Sequence, residues 1–261
     1  MATYLDRILE HHRHVERHPA APLDVLVDEA RRLPPTRGFR AALERVGASS
    51  LGVIAEVKRR SPSKGDLVVG LDPAVLARQY EAGGATCLSV LTDEDFFGGS
   101  FADLVAARDA VGLPVLRKDF TVHELDVVDT RMGGADAVLL IAAALDDAEL
   151  AAFHDLAVEI GLDVLVEIHD EAEADRAAAV GATLVGVNQR DLVTFEVDTD
   201  RAVRVAPLLG VDVVRVAESG VRGPDDAAVL RAAGYHAVLV GESLVTAGDP
   251  EAGVAALRAV C

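Results

Sequence analysis

LGVIAEVK, residues 51–58, opens as an unbroken apolar run and closes on Glu56 and Lys58, with the cation-rich KRRSPSK of residues 58–64 overlapping its end. An apolar run without polar alternation fits a parallel strand covered on both faces. Charged residues at its C-terminal end lie where parallel α/β barrels keep their chemistry. The design recurs along the chain. TCLSVL (86–91), PVLRK (114–118), DAVLLIA (136–142), DVLVEI (163–168), TLVGVN (183–188), DVVRVAES (212–219) and HAVLVG (236–241) follow, separated by Ala-rich helical stretches. Helix starts are marked by Asp72-Pro73, Ser100, Asp146-Asp147, Pro224-Asp225 and Asp249-Pro250. Helix stops are marked by Gly83-Gly84, Gly133-Gly134, Gly181 and Gly234.

Strands alternating with helices predict a parallel α/β fold. An open doubly wound sheet shares that pattern, but eight strands at roughly 31 residues per unit favour a closed (β/α)8 TIM barrel. Residues 1–50 stand outside the repeat, with helical stretches at about 3–18 and 23–33 before Pro34-Pro35. The expectation is therefore a single domain over 1–261, with 1–50 an N-terminal helical extension and 51–261 the barrel.

The 261 residues are 51% hydrophobic and 26% charged, enough for a large core, and with 4% aromatics and no Trp that core must be Ala, Val and Leu. Lys and Arg number 25 against 43 Asp and Glu, a formal charge of −18 that repels nucleic acid and anionic lipid. No apolar run approaches the roughly 18 residues of a membrane span. MATYLDRILEHHRH at the N-terminus has no secretory h-region. Cys87 sits inside a strand-like run and Cys261 is last, so neither a disulfide framework nor a CxxC metal site is available. These features predict a cytoplasmic protein acting on a small molecule, with no metal and no organic cofactor, and a monomer as the working state.

Polar residues cluster at the strand ends. Side chains alternate along a strand, so Glu56 and Lys58, Lys118, and Glu167 all point into one barrel mouth, joined by Asn188 with Arg190 beyond it and by Glu218-Ser219. Each alone is readable as an ordinary strand end reaching solvent. Lysines and glutamates together at one end are better read as an acid–base site, because charges are almost never buried unpaired. Arg117 and Arg215 are one place out of phase and face the helix layer. The 58–64 run by itself reads as a solvated loop, and His11, His12, His14 and His18 read as a solvated helix face rather than a metal site. No G-x-G-x-x-G opens a helix near FFGGS (96–100), so no dinucleotide is expected.

AESGVRGPDD (217–226) and VGESLV (240–245) place Ser219-Gly220 and Gly241 through Ser243 where the last strands turn toward helices. Glycine there lets backbone N–H groups approach an anion, and the loops after strands 7 and 8 are where barrels usually hold phosphate. A glutamate at Gly241 is expected to disturb that site while leaving the fold intact.

IAEVKRRSPSKG (54–65), SVLTDEDFFGGS (89–100), LRKDF (116–120), VLLI (138–141), VEIHD (166–170), GVNQRDL (186–192), AESGV (217–221) and GESL (241–244) together resemble the motif set of the indole-3-glycerol phosphate synthases, in the family's order. The resemblance runs from about residue 3 to 257. It implies a carboxy-lyase of tryptophan biosynthesis that converts 1-(2-carboxyphenylamino)-1-deoxyribulose 5-phosphate to indole-3-glycerol phosphate with loss of CO2 and water. It makes Lys118 the general acid in ring closure and Glu167 a base or a stabiliser of the cationic intermediate. It gives Glu56 and Lys58 to dehydration or binding, and has Glu218 orient the lysines. Asn188, Arg190 and Ser61 would contact the anthranilate part. Phe97, Phe120 and Leu139 would sandwich its ring, and Ser219, Gly220, Gly241 and Ser243 would hold the phosphate. A lysine acid near neutral pH suggests a pKa lowered by neighbouring cations, and the 58–64 run supplies the cations that an anthranilate carboxylate and a phosphate need in an acidic protein. A sugar-phosphate isomerase on the same barrel, such as phosphoribosylanthranilate isomerase, is the nearest rival, but it relies on a Cys/Asp or Asp/Asp pair. A non-catalytic barrel would have lost some charged strand ends.

Overall fold

A computed structural model describes residues 3–61 and 64–260; Pro62 and Ser63 of the basic run and Cys261 lie outside the described residues. The apolar runs form β1 (Gly52–Val57), β2 (Cys87–Leu91), β3 (Val115–Lys118), β4 (Ala137–Ile141), β5 (Asp163–Ile168), β6 (Leu184–Asn188), β7 (Val214–Glu218) and β8 (Ala237–Val240). All pair in parallel with their chain neighbours, and β8 returns to β1 with Gly52 opposite Ala237. The sheet is closed, as the strand count predicts. β1 is buried along its whole length, which is why it carries no polar alternation before Glu56.

Ahead of the barrel come α1 (Tyr4–His14), α2 (Leu23–Arg31) and α3 (Phe39–Gly47). Around it lie α4 (Pro73–Ala82), α5 (Phe101–Ala110), α6 (Glu124–Met132), α7 (Asp147–Glu159), α8 (Glu171–Ala179), α9 (Arg201–Val205), α10 (Pro224–Ala232), α11 (Glu242–Val245) and α12 (Pro250–Arg258). The expected caps hold the outer helices. Asp72, Ser100 and Asp249 accept from N–H groups of their first turns, and Asp146 makes a reciprocal capping box with Glu149. Such a cap stabilises a helix by about 1 kcal/mol. Among the described residues no helix is long and apolar enough to cross a membrane.

The extension departs from its sequence reading. α1 stops at His14 and α2 at Arg31, and a third helix, α3, was not expected. Its N-cap is Gly38 at φ +72°, with no capping side chain to signal a start. α3 covers the N-terminal end of the barrel, burying Phe39 and Leu43 completely. The Arg40 N–H donates to Asp163 at the start of β5 (2.9 Å), and the Arg37 N–H donates to Asp136 just before β4 (2.8 Å). α1 lies at the opposite end, over the mouth. Arg13 donates to the Ala144 carbonyl and to Glu149, and Arg17 holds Asp126 at the start of α6. Arg117 and Arg215 face outward as parity requires: Arg117 donates to Thr92, Thr130 and the Asp126 carbonyl, and Arg215 to the carbonyls of Leu209 and Gly210.

Candidate active site

A cavity of about 440 Å³ opens at the C-terminal ends of the strands. β1 supplies Glu56, with Lys58 and Ser61 just beyond it; the β2 loop supplies Phe97; β3 supplies Lys118, with Phe120 following. β4 brings Leu139, β5 Glu167, β6 Asn188 and then Arg190, and β7 Glu218 with Ser219 and Gly220. Gly241 and Ser243 come from the turn after β8. Every residue singled out from sequence therefore lines one space.

The charged groups form two linked sets. Lys58 Nζ lies 2.6 Å from Glu56 Oε1. Lys118 Nζ donates to Glu167 Oε2 at 2.9 Å and sits 3.9 Å from Glu218 Oε2. Glu167 Oε1 accepts from Asn188 Nδ2 (3.0 Å), while Asn188 Oδ1 accepts from the Ser219 hydroxyl (2.8 Å) and the Arg190 N–H (3.0 Å). This chain of bonds fixes β3, β5, β6 and β7 ends relative to one another.

The surroundings of Lys118 overturn the expectation of a lowered pKa. Its neighbours are carboxylates, not cations. Burial disfavours the ammonium, but Glu167, Glu218 and Glu56 outweigh it and raise the pKa, so Lys118 is a cation throughout the neutral range. The two carboxyl groups beside it diverge. Burial raises the Glu167 pKa, but Lys118, His169 and the Asn188 hydrogen bond reverse that and hold it an anion. Burial and the adjacent Glu167 push the Glu218 pKa well above the usual carboxylate range, so of the two carboxyls it is the one that takes a proton more readily. One ammonium and two carboxyl groups whose proton affinities are driven apart thus meet at the cavity floor, a set able to donate and accept protons.

The basic run divides. Lys58 and Lys64 line the cavity, Lys64 paired with Glu242. Arg59 turns away to Asp103 in α5, and Arg60 to Asp66, its partner in a short antiparallel pairing. The run was expected to supply cations for the substrate's anionic groups, and tertiary partners take two of its four elsewhere.

Above the floor, the Phe97 and Phe120 rings stand 6.3 Å apart and inclined at 38°. Leu139, Leu192, Phe195 and Val197 complete an apolar slot. α1 covers its rim, with Tyr4 against Phe96 and Phe195 and His12 tilted on Phe120. His12 is thus not on a solvated face: Nε2 lies 2.7 Å from Asp93 Oδ2, and His11 Nε2 lies 2.8 Å from Asp95. His14 and His18 do not share a helix, because α1 ends between them. Among the described residues His12, Asp93 and Asp119 stand close enough to hold a metal ion, but Asp119 already pairs with Arg117 (2.8 Å) and accepts the Phe120 N–H.

At the far end Ser219 (φ +65°) and Gly220 (φ +76°) turn the chain left-handed. The Ser243 hydroxyl donates to the Val221 carbonyl (3.0 Å), tying the turns after β7 and β8 together. Gly241 is more constrained than its place at the mouth suggested. A β-carbon there would overlap the Glu56 carboxylate and lie 3.1 Å from Lys58 Nζ, so a glutamate at this position disturbs the Glu56–Lys58 pair and its packing as well as any bound anion. Sequence reasoning gave no site role to Leu192, Phe195, Val197 or Arg222, which line the cavity, nor to α1 at its rim, because none of them is marked by a strand-end position. Lys64 alone had a signal, the basic run itself.

The family model for indole-3-glycerol phosphate synthase matches residues 5–257. An indole-3-glycerol phosphate synthase from a Nocardioides species is 57% identical over 226 residues, covering 87% of this chain and 84% of its own. One from Mycolicibacterium vanbaalenii is 50% identical over 258 residues (98% and 94%), and one from Streptomyces griseus is 52% identical over 244 residues (94% and 90%). Among solved structures, a tryptophan synthase α subunit from Legionella pneumophila superposes with a TM-score of 0.62 at 13% identity, over 86% of this chain and 98% of its own. A thiamine phosphate pyrophosphorylase from Pyrococcus furiosus gives the same TM-score at 17% identity, over 83% and 96%. These two share the barrel alone.

Proposed function

Since the chain belongs to the indole-3-glycerol phosphate synthase family, we propose that the cavity at its barrel mouth is where each step of that reaction is carried out, by the residues lining it. The enzyme is a carboxy-lyase of tryptophan biosynthesis acting on a small phosphorylated substrate. Ring closure joins the carboxylate-bearing carbon of the anthranilate ring to the ribulose ketone carbon. The ketone oxygen takes a proton, CO2 leaves to restore aromaticity, and water departs as the neighbouring methylene loses a proton.

Lys118 is the donor to the ketone oxygen in this reading. Its raised pKa keeps it charged and therefore loaded. Glu167, anionic and hydrogen-bonded to Lys118, stabilises the cationic intermediate formed as the ring nitrogen releases its lone pair. The Lys58–Glu56 pair serves dehydration, the ammonium protonating the leaving hydroxyl and the carboxylate accepting the methylene proton. Ser61, Asn188 and Arg190 face the anthranilate carboxylate, Phe97, Phe120 and Leu139 its ring, and Ser219, Gly220, Gly241 and Ser243 the phosphate. The chain is read as a monomer built as one barrel domain, with 1–50 as its extension.

The observation that carries this reading is the Lys118–Glu167 contact on the floor of a cavity with an aromatic slot on one side and two tied small-residue turns on the other. The test is direct. Purified protein mixed with 1-(2-carboxyphenylamino)-1-deoxyribulose 5-phosphate should develop indole fluorescence with loss of CO2. Absence of indole product would overturn it.

A further inference from the structure

VEIHD continues past the catalytic Glu167 to His169, the first residue beyond β5, and Glu173 follows four residues on in the first turn of α8. Glu173 Oε2 accepts from the backbone N–H of His169 (2.7 Å) and lies 3.1 Å from its Nδ1. The imidazole is therefore held by one nitrogen, with Nδ1 carrying a proton toward Glu173. Its other nitrogen, Nε2, is buried without a hydrogen-bond partner and faces Glu167 Oε1 at 3.5 Å.

A neutral ring would point a buried lone pair at a carboxylate, the costliest arrangement available to it. A protonated ring turns both nitrogens into donors aimed at two carboxylates. The charged groups facing it are Glu167 from β5, Glu173 from α8 and Arg201 from α9. Burial disfavours the imidazolium and Arg201 opposes it, yet the Glu173 hydrogen bond and the two carboxylates prevail and raise its pKa.

We propose that His169 is a positioning residue for this reaction: clamped by Glu173, its imidazolium fixes and partly neutralises Glu167, so that turnover requires the protonated ring. The inference rests on the role given above to Glu167. Glu167 then shares two cationic partners, His169 at Oε1 and Lys118 at Oε2, with Asn188 also on Oε1. When His169 loses its proton Glu167 is left to Lys118 alone, which tightens that pair and holds back the proton Lys118 must give.

The measurement is the pH dependence of kcat in the wild type, His169→Gln and Glu173→Gln. Wild-type kcat should fall as the pH rises through the His169 titration, well below the loss expected from Lys118. His169→Gln places a donor that does not titrate, so this limb should vanish, with kcat at lower pH reduced roughly tenfold and KM little changed. Glu173→Gln removes a carboxylate that favours the imidazolium, so the limb should move to lower pH. A limb unchanged in both variants, or profiles merely scaled down, would overturn the proposal. Should His169→Gln fold poorly, NMR titration of His169 in wild type and Glu173→Gln answers the same question without turnover, and equal midpoints would overturn it. Failure of wild-type protein to form indole product would instead overturn the function assigned above, which keeps the two outcomes apart.

Discussion

Gly186 makes the room that Glu218 occupies: a β-carbon at residue 186 on β6 would overlap Oε1 of the Glu218 carboxyl on β7. The carboxyl is thereby packed into the barrel, buried to 2% exposure, with Oε1 lacking a hydrogen-bond partner. Burial and Glu167 raise its pKa.

Glu218→Gln should therefore stabilise the protein in a pH-dependent way. The folded pKa is raised, so the stability contributed by this carboxyl is complete below the unfolded pKa and is lost as pH rises toward the folded value. The amide has no such loss. The variant's advantage should be nil in acid and grow by about 1.4 kcal/mol per pH unit above the unfolded pKa until the folded value is reached. Chemical denaturation at several pH values measures it; a difference independent of pH would show that Glu218 is ionised in the native state.

Lys118→Met should lower kcat by roughly 10²–10⁴-fold with a much smaller change in KM, since positioned acid–base catalysis has that worth. It also strips Glu167 of its closest partner, so thermal unfolding at neutral pH should occur at lower temperature, the remaining buried anion being destabilising. Near-normal kcat in a folded variant would remove Lys118 from the mechanism.

Much of this was legible in the sequence, and the failures share a cause. Apolar runs with polar ends give the barrel and, through parity, the inward Glu56, Lys118 and Glu167, because both follow from local period alone. What Lys118 would meet is a matter of which strand ends adjoin, and three carboxylates there reversed the expected pKa shift. Arg59 and Lys64 look alike in KRRSPSK, yet Asp103 in α5 draws one away while the other reaches the cavity. α3 begins at a glycine with no capping side chain, so nothing local announces it. His12 reads as helix surface until α1 is laid across the mouth against Asp93.

Metal removal bears on that same corner. His12, Asp93 and Asp119 are the group of described residues able to hold an ion, but Asp93 already contacts His12 at 2.7 Å and Asp119 already pairs with Arg117 at 2.8 Å. Full turnover is expected after exhaustive EDTA treatment and dialysis. A loss restored by a divalent ion, and absent from His12→Ala, would give that cluster a metal.

The last expectation concerns the phosphate end. At a net charge of −18 the distant field repels a substrate bearing carboxylate and phosphate. Only groups within a Debye length of about 8–10 Å can reverse that. Lys58, Lys64 and Arg190 stand at the cavity, and the turns after β7 and β8 that line it are tied together by the Ser243–Val221 bond. Inorganic phosphate should therefore compete with substrate at millimolar levels, raising apparent KM and leaving kcat unchanged. Ser243→Ala loosens the tie between the turns by one neutral hydrogen bond, about 1 kcal/mol, so KM should rise roughly fivefold. The inhibition constant of phosphate should rise by the same factor, because both anions use the same pair of turns. Gly241→Glu is the poorer probe, since it also displaces Glu56. If phosphate fails to compete, or if Ser243→Ala alters KM while leaving phosphate inhibition untouched, the phosphate lies elsewhere than between the turns after β7 and β8.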